Sequence, residues 1–139
     1  MLADARELAH EKGARILLNG SPTLAAELGF DGVHLNGRRL AHLKERPLGA
    51  EFWVGASCHD RDDLQRARDL GLDFAVLSPV LPTRSHPGSP ILGWSGFAEL
   101  VNEAGLPVYA LGGLNGDDIG HARQAGGQGI AGIRAFWPS

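Results

Sequence analysis

Leu111-Gly112-Gly113-Leu114-Asn115 leaves an apolar run and opens a helix-like segment. Adjacent glycines let backbone N–H groups approach an anion closely, and the start of a following helix adds a favourable dipole. One unit later Ile133-Arg134-Ala135 leaves another apolar run, so the Arg134 guanidinium could complete a phosphate site. A glycine pair alone reads as a tight turn. With the spaced arginine it becomes a candidate, and Gly112, Gly113 and Arg134 are assigned to phosphate binding.

The segment from Ser78 to Pro90 places four prolines among hydroxyl, Arg and His side chains. It is too proline-rich for a helix and too polar for a strand, which predicts a semi-rigid active-site loop, with a surface insertion as the plainer alternative. Thr83, Arg84 and His86 are its candidate anion contacts. His34 and His59 each follow or lie in an apolar run and could act as acid or base near neutral pH. His34 reads better as a packed strand residue. In Ser57-Cys58-His59-Asp60 helix capping by Ser57 or Asp60 is the simpler account. Cys58 as nucleophile would need a lowered pKa. The six histidines show no H-x-x-x-H spacing, so no metal ligands are assigned.

These groups need a scaffold that brings them to one end. Six apolar runs supply it, starting near Ala14, Gly32, Phe52, Asp73, Pro107 and Gly129. Between them lie predicted helices over Leu2 to Lys12, Pro22 to Leu28, Asp60 to Leu70, Gly96 to Ala104 and Gly116 to Ala125. Gly13, Gly29, Gly71, Gly105 and Gly126 stand where left-handed C-caps belong. Runs such as RILL, FAVL and VYAL are near-continuously apolar, as strands of a parallel sheet covered by helices are. The fold class is α/β, built from parallel βα units. Periodicity leaves open a doubly wound sheet or most of a (β/α)8 barrel, and length alone favours the open sheet, since whole barrels take at least ~200 residues. In both, ligands meet the carboxyl ends of the strands. Asn19, Gly20, His34, Asn36 to Arg39, Ser57 to His59, Ser78 to Pro90, Gly112, Gly113 and Arg134 are therefore the rim.

Composition narrows the class. The 139 residues predict a single domain over 1–139 with its own core, 43% of it apolar. Thirteen Lys and Arg against sixteen Asp and Glu leave a net charge of −3, without the basic footprint of a nucleic-acid binder. The single cysteine excludes an intrachain disulfide and suits a reducing cytoplasm, the expected location. No apolar run approaches the ~18 residues of a membrane span, so no membrane role is expected.

The strand ends resemble those of thiamine-phosphate synthases and their TenI-like relatives, which are TIM (β/α)8 barrels. The matching segments are GVHL at Gly32 to Leu35, GASCH at Gly55 to His59, SPVLPT at Ser78 to Thr83, ALGGLN at Ala110 to Asn115 and GIAGIRA at Gly129 to Ala135. They run in order over nearly the whole chain. The resemblance implies coupling of a hydroxymethylpyrimidine diphosphate to a thiazole phosphate, with Mg²⁺ beside the diphosphate. It also implies that Asn19, Ser57, Thr83 and the Gly112–Gly113 pair face these substrates. Ser57 and His86 are then the expected catalytic groups; Asn19, Arg39, Thr83, Arg84, Gly112, Gly113 and Arg134 bind substrate or phosphate.

The departures carry equal weight. Where the family has Mg²⁺-binding Asp residues, this chain has Gly20 and Arg39, so the carboxylate ligands expected for that cofactor are lost. The loop Lys is matched by the Ser85-His86 region, the last-strand Ser by Arg134, and the tautomerase His by Pro79. The S-H-P loop is most similar to synthase-like domains fused behind Nudix hydrolases. The match begins in the second helix of the barrel, so the first strand, first helix and second strand are not represented. A truncated barrel of six strands is expected, as part of a longer chain or a homo-oligomer. The expected partner is a small phosphorylated substrate, thiazole phosphate or thiamine phosphate, and neither nucleic acid nor membrane. The alternative function is a catalytically degenerate phosphate-ligand-binding or regulatory module.

Overall fold

The structure, a computed structural model, describes residues 1–84 and 87–132. Helix α1 (Leu2–Glu11) leads into β1 (Leu17–Asn19), α2 (Pro22–Glu27), β2 (Gly32–Leu35), α3 (Gly37–His42) and β3 (Trp53–Cys58). Then come α4 (Arg61–Asp69), β4 (Phe74–Leu77), α5 (Gly93–Ala104), β5 (Val108–Ala110), a 3-10 turn at Gly116–Asp118, α6 (Ile119–Gln124) and β6 (Gly129–Ile130). Each expected strand is present, and each expected C-cap glycine has a positive φ, from +70° at Gly13 to +95° at Gly126.

All neighbouring strands pair in parallel, in the spatial order β1-β2-β3-β4-β5-β6. The order never reverses, so the doubly wound alternative, which needs a switch point, does not apply. The winding is that of a TIM-type barrel. The sheet is not closed, and β1 and β6 are its edges.

Two elements differ from expectation. Helix α3 has no counterpart among the predicted helices because six residues with one buried side chain, Leu40, show no readable period. Its start is set by Asn36, whose Oδ1 accepts the Arg39 N–H at 2.8 Å. Helix α5 begins at Gly93, ahead of the expected Gly96, because the Leu92 and Gly93 N–H groups donate to the Pro79 and Val80 carbonyls, each at 2.9 Å. The loop after β4 thereby fastens the helix that follows it.

Alternation along the strands separates two faces. On one, Val33, Leu35, Val54, Ala56, Cys58, Ala75, Leu77 and Ala110 are all 0% exposed beneath the helices, together with Leu40, Ala67 and Phe97. This is the core. On the other face Leu17, His34, Ser57, Phe74 and Tyr109 are only half-buried, and Asn19 and Trp53 are exposed. The Arg15 guanidinium sits 5.4 Å from the Trp53 ring centroid and covers part of that ring.

The amino ends of the strands are pinned by a repeated device. In Gly29-Phe30-Asp31 and Gly71-Leu72-Asp73 a capping glycine, a buried apolar residue and an aspartate precede a strand. Asp31 Oδ2 accepts the Ile16 N–H at 2.8 Å and Asp73 Oδ2 accepts the Val54 N–H at 2.8 Å, each reaching the preceding strand. Arg46 adds to the second, donating to Asp73 Oδ2 and to the Leu48, Phe52 and Gly71 carbonyls. That end is therefore built for stability, and the rim with the candidate residues lies at the other.

Candidate functional site

The strand register decides which rim residues are neighbours. Asn19 pairs with His34, His34 with Gly55 and Gly55 with Phe74 in one row across the open face. Two residues further along β3, on the same face, Ser57 pairs with Val76, and Val76 with Tyr109. Gly55 has no side chain, and a Cβ there would run into the Phe74 ring. That absence lets the ring lie across β3 and stack on His34, with centroids 6.2 Å apart and planes at 29°. Tyr109 supports Phe74 from the far side, edge-on at 5.7 Å. Between them the rings hold His34 Nε2 at 2.8 Å from Ser57 Oγ. Burial lowers the His34 pKa below the ordinary imidazole value, favouring the neutral ring. The expectation that His34 is merely a packed strand residue missed this bond, since only register brings positions 34 and 57 together.

The glycine pair lies beside the loop that follows β4. Val80 and Leu81 donate to the Leu111 and Gly112 carbonyls, both at 3.0 Å, and Val80 is fully buried. Gly112 has φ +114°, and a Cβ on Gly113 would strike the Pro82 carbonyl. Close packing of two loops thus needs both glycines, in addition to whatever their N–H groups bind. The first part of the Ser78–Pro90 segment is accordingly a pinned arm, entered through a cis Ser78-Pro79 peptide, and it brings half-buried Thr83 and exposed Arg84 to the same rim. The helix start after the pair is already used: Asn115 Oδ1 accepts the Asp117 N–H at 2.8 Å, and Asp118 Oδ2 accepts the Asn115 N–H at 3.0 Å. The Asn115 N–H, with a further contribution from His121, holds the Asp118 pKa down, so a carboxylate stands where the helix start was expected to favour an anion. Of the anion contacts expected at this turn, the helix start is thus occupied by Asp118, and only the Gly112–Gly113 backbone stays as a candidate. His86 and Arg134 lie outside the described residues.

Cys58 is no nucleophile. It is fully buried on the helix-covered face, and burial together with Asp63 and Asp60 pushes its thiol up to about 12. Of the two caps considered for α4, Asp60 is the one formed, its Oδ1 accepting the Asp63 N–H at 2.9 Å. The exposed His59 donates its backbone N–H to Asp63 at 3.0 Å and so belongs to the same helix start.

The Mg²⁺ implied by the resemblance does not fit the residues present. A Cβ on Gly20 would touch only Leu18, at 3.7 and 3.8 Å, so there is room for a side chain but none to donate oxygen. Arg39 is an exposed cation in α3. Hard divalent cations take carboxylate and carbonyl oxygens, and neither position supplies a carboxylate.

Sequentially ordered parallel strands, one helix-covered face and a polar rim at the carboxyl ends define a barrel-type α/β protein. The chain belongs to the thiamine monophosphate synthase family, whose model, TMP-TENI, matches residues 1–136. It is 33% identical over 133 residues to the "Putative thiamine-phosphate synthase 2" of Aquifex aeolicus, covering 96% of this chain and 72% of that one. It is 38% identical over 134 residues to the "Putative thiamine-phosphate synthase" of Geobacter sulfurreducens, covering 94% of this chain and 62% of that one. The solved thiamine phosphate pyrophosphorylase of Pyrococcus furiosus has the same fold, with TM-score 0.75 at 23% identity over 94% of this chain and 62% of that one. The chain thus spans from three-fifths to under three-quarters of the length of these relatives. No helix among the described residues is long and apolar enough to cross a membrane.

Proposed function

We propose that this chain, a single domain over residues 1–139, is a thiamine-phosphate synthase-like domain that takes a thiazole phosphate or thiamine phosphate at its rim. Gly112 and Gly113 hold the phosphate with Arg134, while Asn19, Ser57, Thr83, Arg84 and His86 face the second substrate. The observation supporting this is that two successive register rows on one face, and one pinned loop, bring Asn19, Ser57, Thr83 and the glycine pair to the same end of the sheet. In the reaction, the diphosphate leaves the hydroxymethylpyrimidine carbon as the thiazole nitrogen attaches to it. Incubation with both substrates, with and without Mg²⁺, tests this. Thiamine phosphate above a heat-killed control supports turnover, and its absence leaves no synthase in this chain.

A second reading is favoured by Gly20 and Arg39. It is a binding or regulatory module that keeps the phosphate pocket without the metal chemistry, with Arg39 neutralising a ligand phosphate directly. Calorimetry with thiamine phosphate in chelator tests it: undiminished heat favours the module, and heat restored only by Mg²⁺ returns the weight to the synthase. On either reading the domain works in the cytoplasm, as a homo-oligomer or within a longer chain of the Nudix-fusion type.

A further inference from the structure

Ser57 is half-buried on the open face and carries a hydroxyl that, left alone, turns among staggered positions and presents donor or lone pair indifferently. Its neighbour on β4, Val76, has no polar group to restrain it. The restraint comes from the other side, from His34 Nε2 at 2.8 Å. His34 is held in turn. Its ring stacks on Phe74, Phe74 is braced by Tyr109, and the Phe74 ring reaches across β3 only because residue 55 is glycine.

We propose that His34 is a positioning residue that fixes the Ser57 hydroxyl toward the ligand, with the tautomer of its imidazole setting what Ser57 offers. When Nε2 accepts the hydroxyl proton, Ser57 Oγ presents lone pairs to a ligand donor. When Nε2–H donates, the hydroxyl proton is free for a ligand acceptor. Gly55, Phe74 and Tyr109 form the support. This deepens the proposed function, because it takes Ser57 to face the ligand.

The test uses the full chain. Imidazole ¹⁵N spectra of wild type and Ser57→Ala report the bond without any ligand, and the His34 Nε2 resonance moves when the hydroxyl is removed. Calorimetry with thiamine phosphate, which carries both the pyrimidine that Ser57 is taken to face and the thiazole phosphate, then compares wild type, His34→Phe, His34→Gln, Ser57→Ala and the His34→Phe/Ser57→Ala pair. His34→Phe keeps a ring for Phe74 but loses the hydrogen bond, and weakens binding by about three- to tenfold. His34→Gln, with an amide near the position of Nε2, recovers most of that loss. In the Ser57→Ala background His34→Phe costs nothing further. An Nε2 resonance unmoved in Ser57→Ala, or losses that simply add, overturns the proposal. If wild type gives no heat with thiamine phosphate, the functional reading fails, and the ¹⁵N comparison alone decides whether His34 holds Ser57.

Discussion

His34 Nε2 stands 2.8 Å from Ser57 Oγ, joining β2 to β3 on the open face of the sheet. The helix-covered face beneath is buried and apolar, so this bond lies on the opposite, half-buried face.

Gly55 is the hidden support of that pair. Gly55→Val places methyls where the Phe74 ring lies and destabilises the fold by about 1–3 kcal/mol, the usual range for overpacking. It also displaces Phe74 from His34. Urea unfolding midpoints and the His34 ring proton shifts check both effects, which must appear together.

Cys58, with its thiol pushed up to about 12, stays protonated at pH 8 in the folded chain. A thiol reagent such as iodoacetamide therefore labels it far more slowly in buffer than in denaturing urea, by at least about a hundredfold if labelling requires unfolding. Equal rates would place the thiol at the surface.

Acid weakens the fold through Asp31. The Ile16 N–H, with a further contribution from His10, holds its carboxyl below the ordinary value of 3.8. A depressed carboxylate pKa stabilises the fold fully above the unfolded value, and that stability disappears as pH falls through the folded one. Wild type should therefore lose thermal stability from about pH 5 downward, and Asp31→Asn should lose less over the same interval. Parallel melting curves for the two chains between pH 7 and pH 3 decide this.

Among the described residues Phe97 is the largest side chain buried completely. Phe97→Ala opens a cavity between the sheet and its helices and costs about 3–5 kcal/mol, read from chemical denaturation. A loss under about 1 kcal/mol would mean that the layer can collapse around the gap.

At Gly20 the backbone leaves room for a side chain. Gly20→Asp combined with Arg39→Asp should fold like wild type and bind Mn²⁺, seen as enhanced water-proton relaxation, where wild type shows no enhancement. Relaxation in wild type equal to that of the double variant would show that the native residues already hold a divalent cation.

The alternation of apolar runs with glycine-terminated helices was legible in the chain because each signal is local. A strand is an apolar run, and a capping glycine marks a backbone turn that other residues resist. Even the rim residues Asn19, Ser57, Thr83 and Gly112 could be named, since carboxyl ends of parallel strands are where such a scaffold presents chemistry. Helix α3 was not legible, because six residues with one buried side chain carry no period. His34 was visible as a residue and invisible as a partner of Ser57, 23 positions away.

By itself, then, the sequence determined the element order, the glycine caps and the chemistry available at the strand ends, all properties of short stretches of chain. Tertiary structure decided which of those groups meet. A parallel register places Gly55 between His34 and Phe74, and a missing Cβ there admits the ring that aims His34 at Ser57. Packing of the post-β4 loop against Gly112 and Gly113 likewise shows that the pair serves close approach as well as any anion. Such contacts depend on how distant strands align, and a one-residue change of register would turn every side chain of a strand to the opposite face.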